Sequence, residues 1–172
     1  MYNIPSKINM FNVYKDGTQL VGISDEVTLP DFESLTSTTS GPGILGEVDD
    51  PTIGQFASME MEIPFRTMDK DLFILSDDIS SVDITLRGAI QYTVNTTAAT
   101  TEKGMRVVIR GKNKGITGGK MKQGEGTGSS IKLEVLYILI EIDGVTEIEL
   151  DKLNCVYKIH GKDLLKKIRK LC

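Results

Sequence analysis

Between Gly111 and Gly128 the chain places seven glycines in eighteen residues, with Lys112, Lys114, Lys120 and Lys122 among them. Glycine in a helix or strand interior costs roughly 0.5–1 kcal/mol relative to alanine, so a segment this rich in it predicts neither element. The flanks are β-formers, Val107 to Ile109 on one side and Ile131 to Ile142 on the other. The expected order is strand, long polar loop, strand. A polar loop of that length inside a compact domain is unusual and points to function or disorder. Here it predicts an arm that stays mobile in the free protein and orders against a neighbour.

The remaining pattern is also β-rich. Lys7 to Tyr14 and Gln19 to Ile23 flank Asp16-Gly17, a strong hairpin signal because the turn needs positive φ. Glu26 to Leu35 reads as a third strand, with Pro30 placing it at an edge or bulge. Thr36 to Phe56 holds six Gly or Pro residues, which argues against a regular central strand or a helix. Ala57 to Phe65 alternates, with Met59, Met61 and Ile63 facing one way and Ser58, Glu60 and Glu62 the other. Asp69 to Leu75 is a short helix candidate with acids in its first turn. Val82 to Val94 is a strand, bulged at Gly88, and Asn95 to Thr101 is a hairpin tip. Ile131 to Ile142 turns at Asp143-Gly144 into Val145 to Ile159. Gly161 to Leu171 reads as an amphipathic helix with Leu164, Leu165, Ile168 and Leu171 on one face. The sum is a mainly β chain of the α+β kind, a small antiparallel barrel or sandwich with one or two short helices. It forms a single domain over residues 1–172, with extended arm loops at about 36–56 and 111–128.

Function classes narrow quickly. No apolar run is long enough for a membrane-spanning helix, and the N-terminus has no secretion signal. Two cysteines make no disulfide framework; Cys155 reads as a small buried hydrophobe and Cys172 as an exposed thiol. His160 is the only histidine, which removes multi-histidine metal sites and leaves a surface or cap residue. Gly119-Lys120 is followed by Met121 where a phosphate-binding loop needs Ser or Thr, and Gly124, Gly126 and Gly128 lack dinucleotide-binding spacing. Catalytic, metal and cofactor sites are therefore not expected. The basic run from Lys103 to Lys122 suits nucleic acid, yet it has no aromatic residue for base stacking, and the whole chain is acidic, with pI about 5.1.

Charge is segregated. Asp25 to Asp83 contains fourteen acids and two basic residues; Lys158 to Lys170 contains six Lys or Arg and one acid. Blocks of opposite sign on one domain suit contacts between copies. The Gly/Pro-rich stretch also carries Ile44, Leu45, Val48, Ile53 and Phe56, more apolar groups than a loop facing only water needs.

In this order the segments resemble the major tail tube proteins of contractile-tailed bacteriophages, the family typified by the FII protein of phage P2. The likeness covers nearly the whole chain. It is carried by KINMFNVYKDGTQLVGISDEVTLP near the N-terminus and by Ser58 to Pro64. Arg110-Gly111-Lys112 followed by Gly119 to Glu125 carries it most strongly, with Lys122-Gln123-Gly124-Glu125 the most specific piece. The closing DGVTEIELDKLNCVYKIHGKDLLKKIRK matches in layout, whereas Arg66 to Thr101 shares only helix then hairpin.

The resemblance implies a structural subunit that forms hexameric rings stacked into a tube, its inner strands joining a larger barrel through the ring. Implied partners are further copies, the tail sheath, the tape-measure protein, baseplate and tail-terminator proteins, and DNA in transit without sequence recognition. The implied location is a virion tail assembled from protein made in the bacterial host cytoplasm. A phage-tail-like bacteriocin or related contractile injection system would use the same subunit. On this reading Ile44, Leu45, Glu47, Asp49, Asp50, Ile53, Phe56, Lys112, Lys114, Lys120 and Lys122 are expected at contacts between copies. The acids Glu47, Asp49 and Asp50 would meet the basic loop of a neighbour. Ser58, Glu60, Glu62, Glu147 and Glu149 are expected to face the lumen, where negative charge would let DNA slide.

Overall fold

Most long strands and both helices follow from local pattern, but the way the strands meet depends on register shifts between β-partners. The computed structural model describes residues 3–24 and 26–172. Its first half contains β1 (Asn3–Lys15), β2 (Thr18–Gln19), β3 (Ser34–Thr39), β4 (Val48–Phe56), β5 (Glu60–Phe65) and α1 (Lys70–Ile74). The second half contains β6 (Val82–Val94), β7 (Thr100–Thr117), β8 (Ser129–Ile142) and β9 (Val145–Asp151). It closes with β10 (Val156–Ile159), β11 (Lys162–Asp163) and α2 (Lys166–Arg169).

The main sheet is antiparallel in the order β11-β10-β9-β8-β7-β6-β1-β2, with β5 also on β8. β5 pairs Ser129 to Glu134 of β8, and β9 takes Tyr137 to Ile142 along the same edge. Beyond β2 the described residues reach β5 at the isolated bridges Ile23↔Phe65 and Thr28↔Glu62. The sheet therefore folds over itself like a sandwich and does not close into a barrel. Met61, Ile63, Phe65, Ile109, Ile131, Leu133 and Ile138 are fully buried between its halves.

The alternation in β5 emerges as read, and Asp69 caps α1 through a bond from the Lys70 amide. Asp16-Gly17 and Asp143-Gly144 make two-residue turns with positive φ at both positions, as their hairpins require. β8 shows a parity switch that a plain alternating pattern misses. Residues 131, 133 and 135 face the core, and so does 138, because an extra residue sits opposite the Arg110/Gly111 step of β7. Such a bulge keeps the apolar side inward past a break in the pattern.

Several expectations are corrected. The stretch from Glu26 to Leu35 is not a third strand: its first part runs as a loop touching β5 at Thr28, and only Ser34 and Leu35 belong to β3. The Gly/Pro-rich stretch contains the β3–β4 ribbon, because its glycines cluster at the tip while Thr36 to Thr39 supply β-formers. The irregularities between β1 and β6 fall on β1, between Pro5 and Lys7 and between Ile8 and Met10, rather than at Gly88. Lys162-Asp163 returns as β11 onto β10, so the terminal helix shrinks to one turn, with Leu165 buried and Leu171 exposed. Cys155 is exposed at a turn with φ of 53° instead of buried.

The glycine-rich segment differs most. β7 continues to Thr117 along β8, so the loop shortens to residues 118–128. A Cβ on Gly111 would lie 2.4 Å from the Glu134 carbonyl oxygen, and one on Gly119 would lie 2.0 Å from that of Thr127. These glycines permit close backbone approach, and the loop is folded on itself. The Lys120 amide donates to the Thr127 carbonyl at 2.8 Å, and the Ser129 hydroxyl donates to the Gly118 carbonyl at 3.0 Å.

Candidate functional site

The ribbon of β3 and β4 stands apart from the main sheet. Its ladder runs from Ser34↔Phe56 at the foot to Thr39↔Val48 at the far end. Five residue steps of extended chain span roughly 17 Å, and the tip extends beyond them. Every residue from Leu35 to Ile53 is exposed. Leu45 is fully exposed, Ile53 is 62% exposed and Ile44 40%. Glu47, Asp49 and Asp50 line the outgoing strand and its approach without an ion-pair partner among the described residues; Asp49 accepts a bond from the Thr38 hydroxyl at 2.7 Å. Phe56, expected among the contact residues, packs edge-on against Tyr157 at 5.1 Å and joins the arm's foot to the chain's own body.

The foot of the arm is locked by a charged cluster. Ser58 donates to Glu134 at 2.6 Å, and the Met59 amide reaches the same carboxylate at 3.3 Å. Lys114 lies 2.9 Å from Glu60 and 3.5 Å from Glu134, and Lys132 lies 3.2 Å from Glu60. Lys152 donates to the Ala57 carbonyl at 2.8 Å. The Lys114 bond holds the Glu60 carboxyl below its usual range, with Lys132 adding to it. Burial raises Glu134, but the Ser58 hydroxyl, the Met59 amide and the lysines outweigh it and leave it lowered. Sequence reading singled out Ser58, Glu60 and Lys114 but not Lys132, Glu134 or Lys152. The alternation of Lys132 and Glu134 opposite Glu60 and Glu62 was the available signal.

A carboxyl whose folded pKa is lowered stabilises the fold above its ordinary value of 4.5. That contribution disappears as pH falls through the lower folded value. Glu134→Gln is therefore expected to cost at most about 1 kcal/mol at neutral pH, the range of exposed ion pairs. It should also flatten the loss of stability below pH 4.5, read by urea unfolding across the acid range.

Glu60 and Glu62 project from the face of β5 opposite Met61 and Ile63, and alternation puts Glu147 and Glu149 opposite Leu150 on β9. The shared strand β8 makes this one outer face. Glu62 accepts from Ser130 at 2.7 Å, Glu149 pairs with Lys158 at 2.8 Å, and Glu147 lies 2.5 Å from His160. Nearby, Arg106 meets Glu141 at 2.6 Å and Arg110 meets Asp83 at 2.8 Å. On the face expected to be a negative wall, Glu60 and Glu149 are thus matched by lysines, while Glu62 and Glu147 meet a hydroxyl and an imidazole.

The expected basic contacts divide. Lys114 is held in the foot cluster and Lys122 pairs with Glu125. Lys112 and Lys120 are exposed and without an ion-pair partner among the described residues. A second basic surface lies at the C-terminus, where Lys162, Lys166, Lys167 and Lys170 are exposed and also lack ion-pair partners among the described residues. Arg169 instead pairs with Asp163, which holds that carboxyl below its usual range. Among the described residues no group of His, Cys, Asp and Glu is arranged to hold a metal, and no helix is long and apolar enough to cross a membrane.

The family model for phage tail tube protein FII matches residues 5–171. The chain is 30% identical to the tail tube protein of Escherichia phage P2 over 97% of its own length and 96% of that protein. It is 28% identical to the major tail tube protein of Serratia phage KSP20, covering 94% and 91%. A solved chain from the PVC sheath/tube terminator of an extracellular contractile injection system superposes with a TM-score of 0.55 at 15% identity. That match spans 80% of this chain and 96% of the other, and is a likeness of fold.

Proposed function

The chain belongs to the phage tail tube protein FII family, and from that premise we propose that its copies form hexameric rings stacked into the inner tube of a contractile tail. As a family member it is a structural tube subunit of a virion tail or tail-like injection particle, not an enzyme. The arm is the observation that carries the assembly reading. A lone two-stranded ribbon is marginal in water, and this one leaves Ile44, Leu45 and Ile53 exposed. Burying each against a neighbour would yield roughly 1.5–3 kcal/mol, less the cost of ordering. Repeated around a ring, a modest gain per copy becomes a strong joint contact.

Two basic surfaces could meet the arm's Glu47, Asp49 and Asp50: the one bearing Lys112 and Lys120, with Lys114 and Lys122 already paired within the chain, or the C-terminal lysines. Within a ring, neighbouring sheets would continue across the free edge of β1 and cover it. The face bearing Ser58, Glu60, Glu62, Glu147 and Glu149 is the proposed lumen wall. Its paired carboxylates would give DNA neither a cationic grip nor a specific contact as it passes. The bore would house the tape-measure protein, the outer surface would meet the sheath, and the tube ends would meet terminator and baseplate proteins. The fold likeness to a sheath/tube terminator chain supports the sheath and terminator as partners.

Negative-stain microscopy of the concentrated, purified protein is expected to show hollow sixfold rings or tubes. A monodisperse monomer under all concentrations and salts tested would remove the assembly reading.

A further inference from the structure

A groove of about 450 Å³ runs between the foot of the arm and the C-terminal segment. Leu35, Ile53, Phe56, Val156, Leu165 and Ile168 form its apolar walls. A cavity of about 150 Å³ lined by such residues admits benzene, so this one has room for two branched side chains. The Asp151 carboxylate in its wall is turned into its own loop, accepting from the Leu153 and Asn154 amides. The exposed lysines 166, 167 and 170 follow directly on the groove-lining Leu165 or flank the lining Ile168 and Arg169. Two thiols, Cys155 and Cys172, also line it.

The chain's own arm tip cannot fill this groove. The β3–β4 ladder begins beside it and carries Ile44 and Leu45 away from it. The tip of another copy is free to enter, and its chemistry is complementary: two adjacent branched apolar residues followed by Glu47, Asp49 and Asp50. The alternative basic surface offers a poorer apolar half, since its hollow has Met121 as its one apolar lining residue beside Lys122, Gln123, Glu125 and Thr127.

We propose that this groove receives Ile44 and Leu45 from the arm tip of a second copy, with Lys166, Lys167 and Lys170 facing Glu47, Asp49 and Asp50. The proposal rests on the self-assembly reading and names the docking site within it. Donor and acceptor are different surfaces of one chain, so the contact is able to repeat head to tail, as a ring or stack requires.

The natural thiols supply the test. Leu45→Cys is combined with Cys155→Ser in one protein and with Cys172→Ser in another, and each is assembled and mildly oxidised. Docking brings the tip thiol within disulfide reach of the remaining groove thiol, where Cα atoms lie roughly 4.4–6.8 Å apart. The expected result is a ladder of disulfide-linked multimers on a non-reducing gel for at least one of the two proteins. Tubes that form with the introduced thiol left unlinked in both proteins overturn the groove while leaving self-assembly intact. Wild-type protein that forms no tubes overturns the parent reading instead.

A charge exchange keeps the proposal testable if Leu45→Cys itself blocks assembly. Asp49→Lys with Asp50→Lys, and separately Lys166→Glu with Lys167→Glu, should each cut tube yield at least tenfold. The four changes together should restore most of it. A fourfold variant that assembles no better than either pair overturns the proposal.

Discussion

Excision of the arm tip is expected to abolish tube formation while leaving the subunit folded. Replacing Ser37 to Asp50 by two glycines would retain the foot pairs Ser34↔Phe56 and Thr36↔Pro51. Everything removed is exposed, so the isolated protein loses no core contact. Its unfolding free energy should stay within about 1 kcal/mol of the parent, as surface changes away from core and caps usually do. The assembled state, by contrast, would lose every contact made through Ile44 and Leu45 and all three acids. Urea unfolding and negative-stain microscopy on the same preparation separate the two effects. Tubes of normal length from the excised protein would show that the arm has no part in assembly.

The second large effect is expected in the core. Phe65 is fully buried at the end of β5, pairs with Ser129 of β8 and makes the bridge to Ile23. It therefore sits where the two halves of the sandwich come nearest to closing. Phe65→Ala removes a large buried side chain and leaves a cavity, a change that typically costs 3–5 kcal/mol. Domains of this size hold only about 5–15 kcal/mol in all, so the urea midpoint should fall sharply and expression should suffer. Phe73 is the matched control, being 53% exposed on α1. Phe73→Ala should shift stability by about 0.5 kcal/mol or less. Equal shifts for the two would contradict the assigned core.

Local pattern made much of this fold readable. The Met59–Met61–Ile63 alternation set the inward face of β5, and Asp-Gly pairs marked two of the hairpins. Asp69 before Lys70-Asp71-Leu72 marked the start of α1. Family likeness was readable too, from Lys122 to Glu125 and the terminal layout, and the family model's match over residues 5–171 agrees with it. Readings failed where a residue's role depended on something distant in the chain. Gly111 and Gly119 looked like sources of looseness, yet each leaves space for a carbonyl oxygen, of Glu134 and of Thr127. Cys155 lies in an apolar run, but a turn with positive φ brings it to the surface. The helical spacing of Leu164, Leu165, Ile168 and Leu171 was overridden because Lys162-Asp163 found β10 to pair with.

The candidate site divides along the same line. The apolar and acidic content of the arm was visible in composition, and so was the basic C-terminus. That Phe56 joins the arm's foot to the body, that Glu60 is shared by Lys114 and Lys132, and that a groove opens beside Leu165 were not visible. Each of these joins segments dozens of residues apart.

The sequence by itself determined that this chain is an antiparallel β protein of the tail tube family, since side-chain period, turn residues and motif spacing are local properties. Tertiary structure decided which glycines are spacers, which charges are already matched and which apolar residues remain uncovered. Those are properties of register and burial, set only when strands distant in the chain are brought side by side.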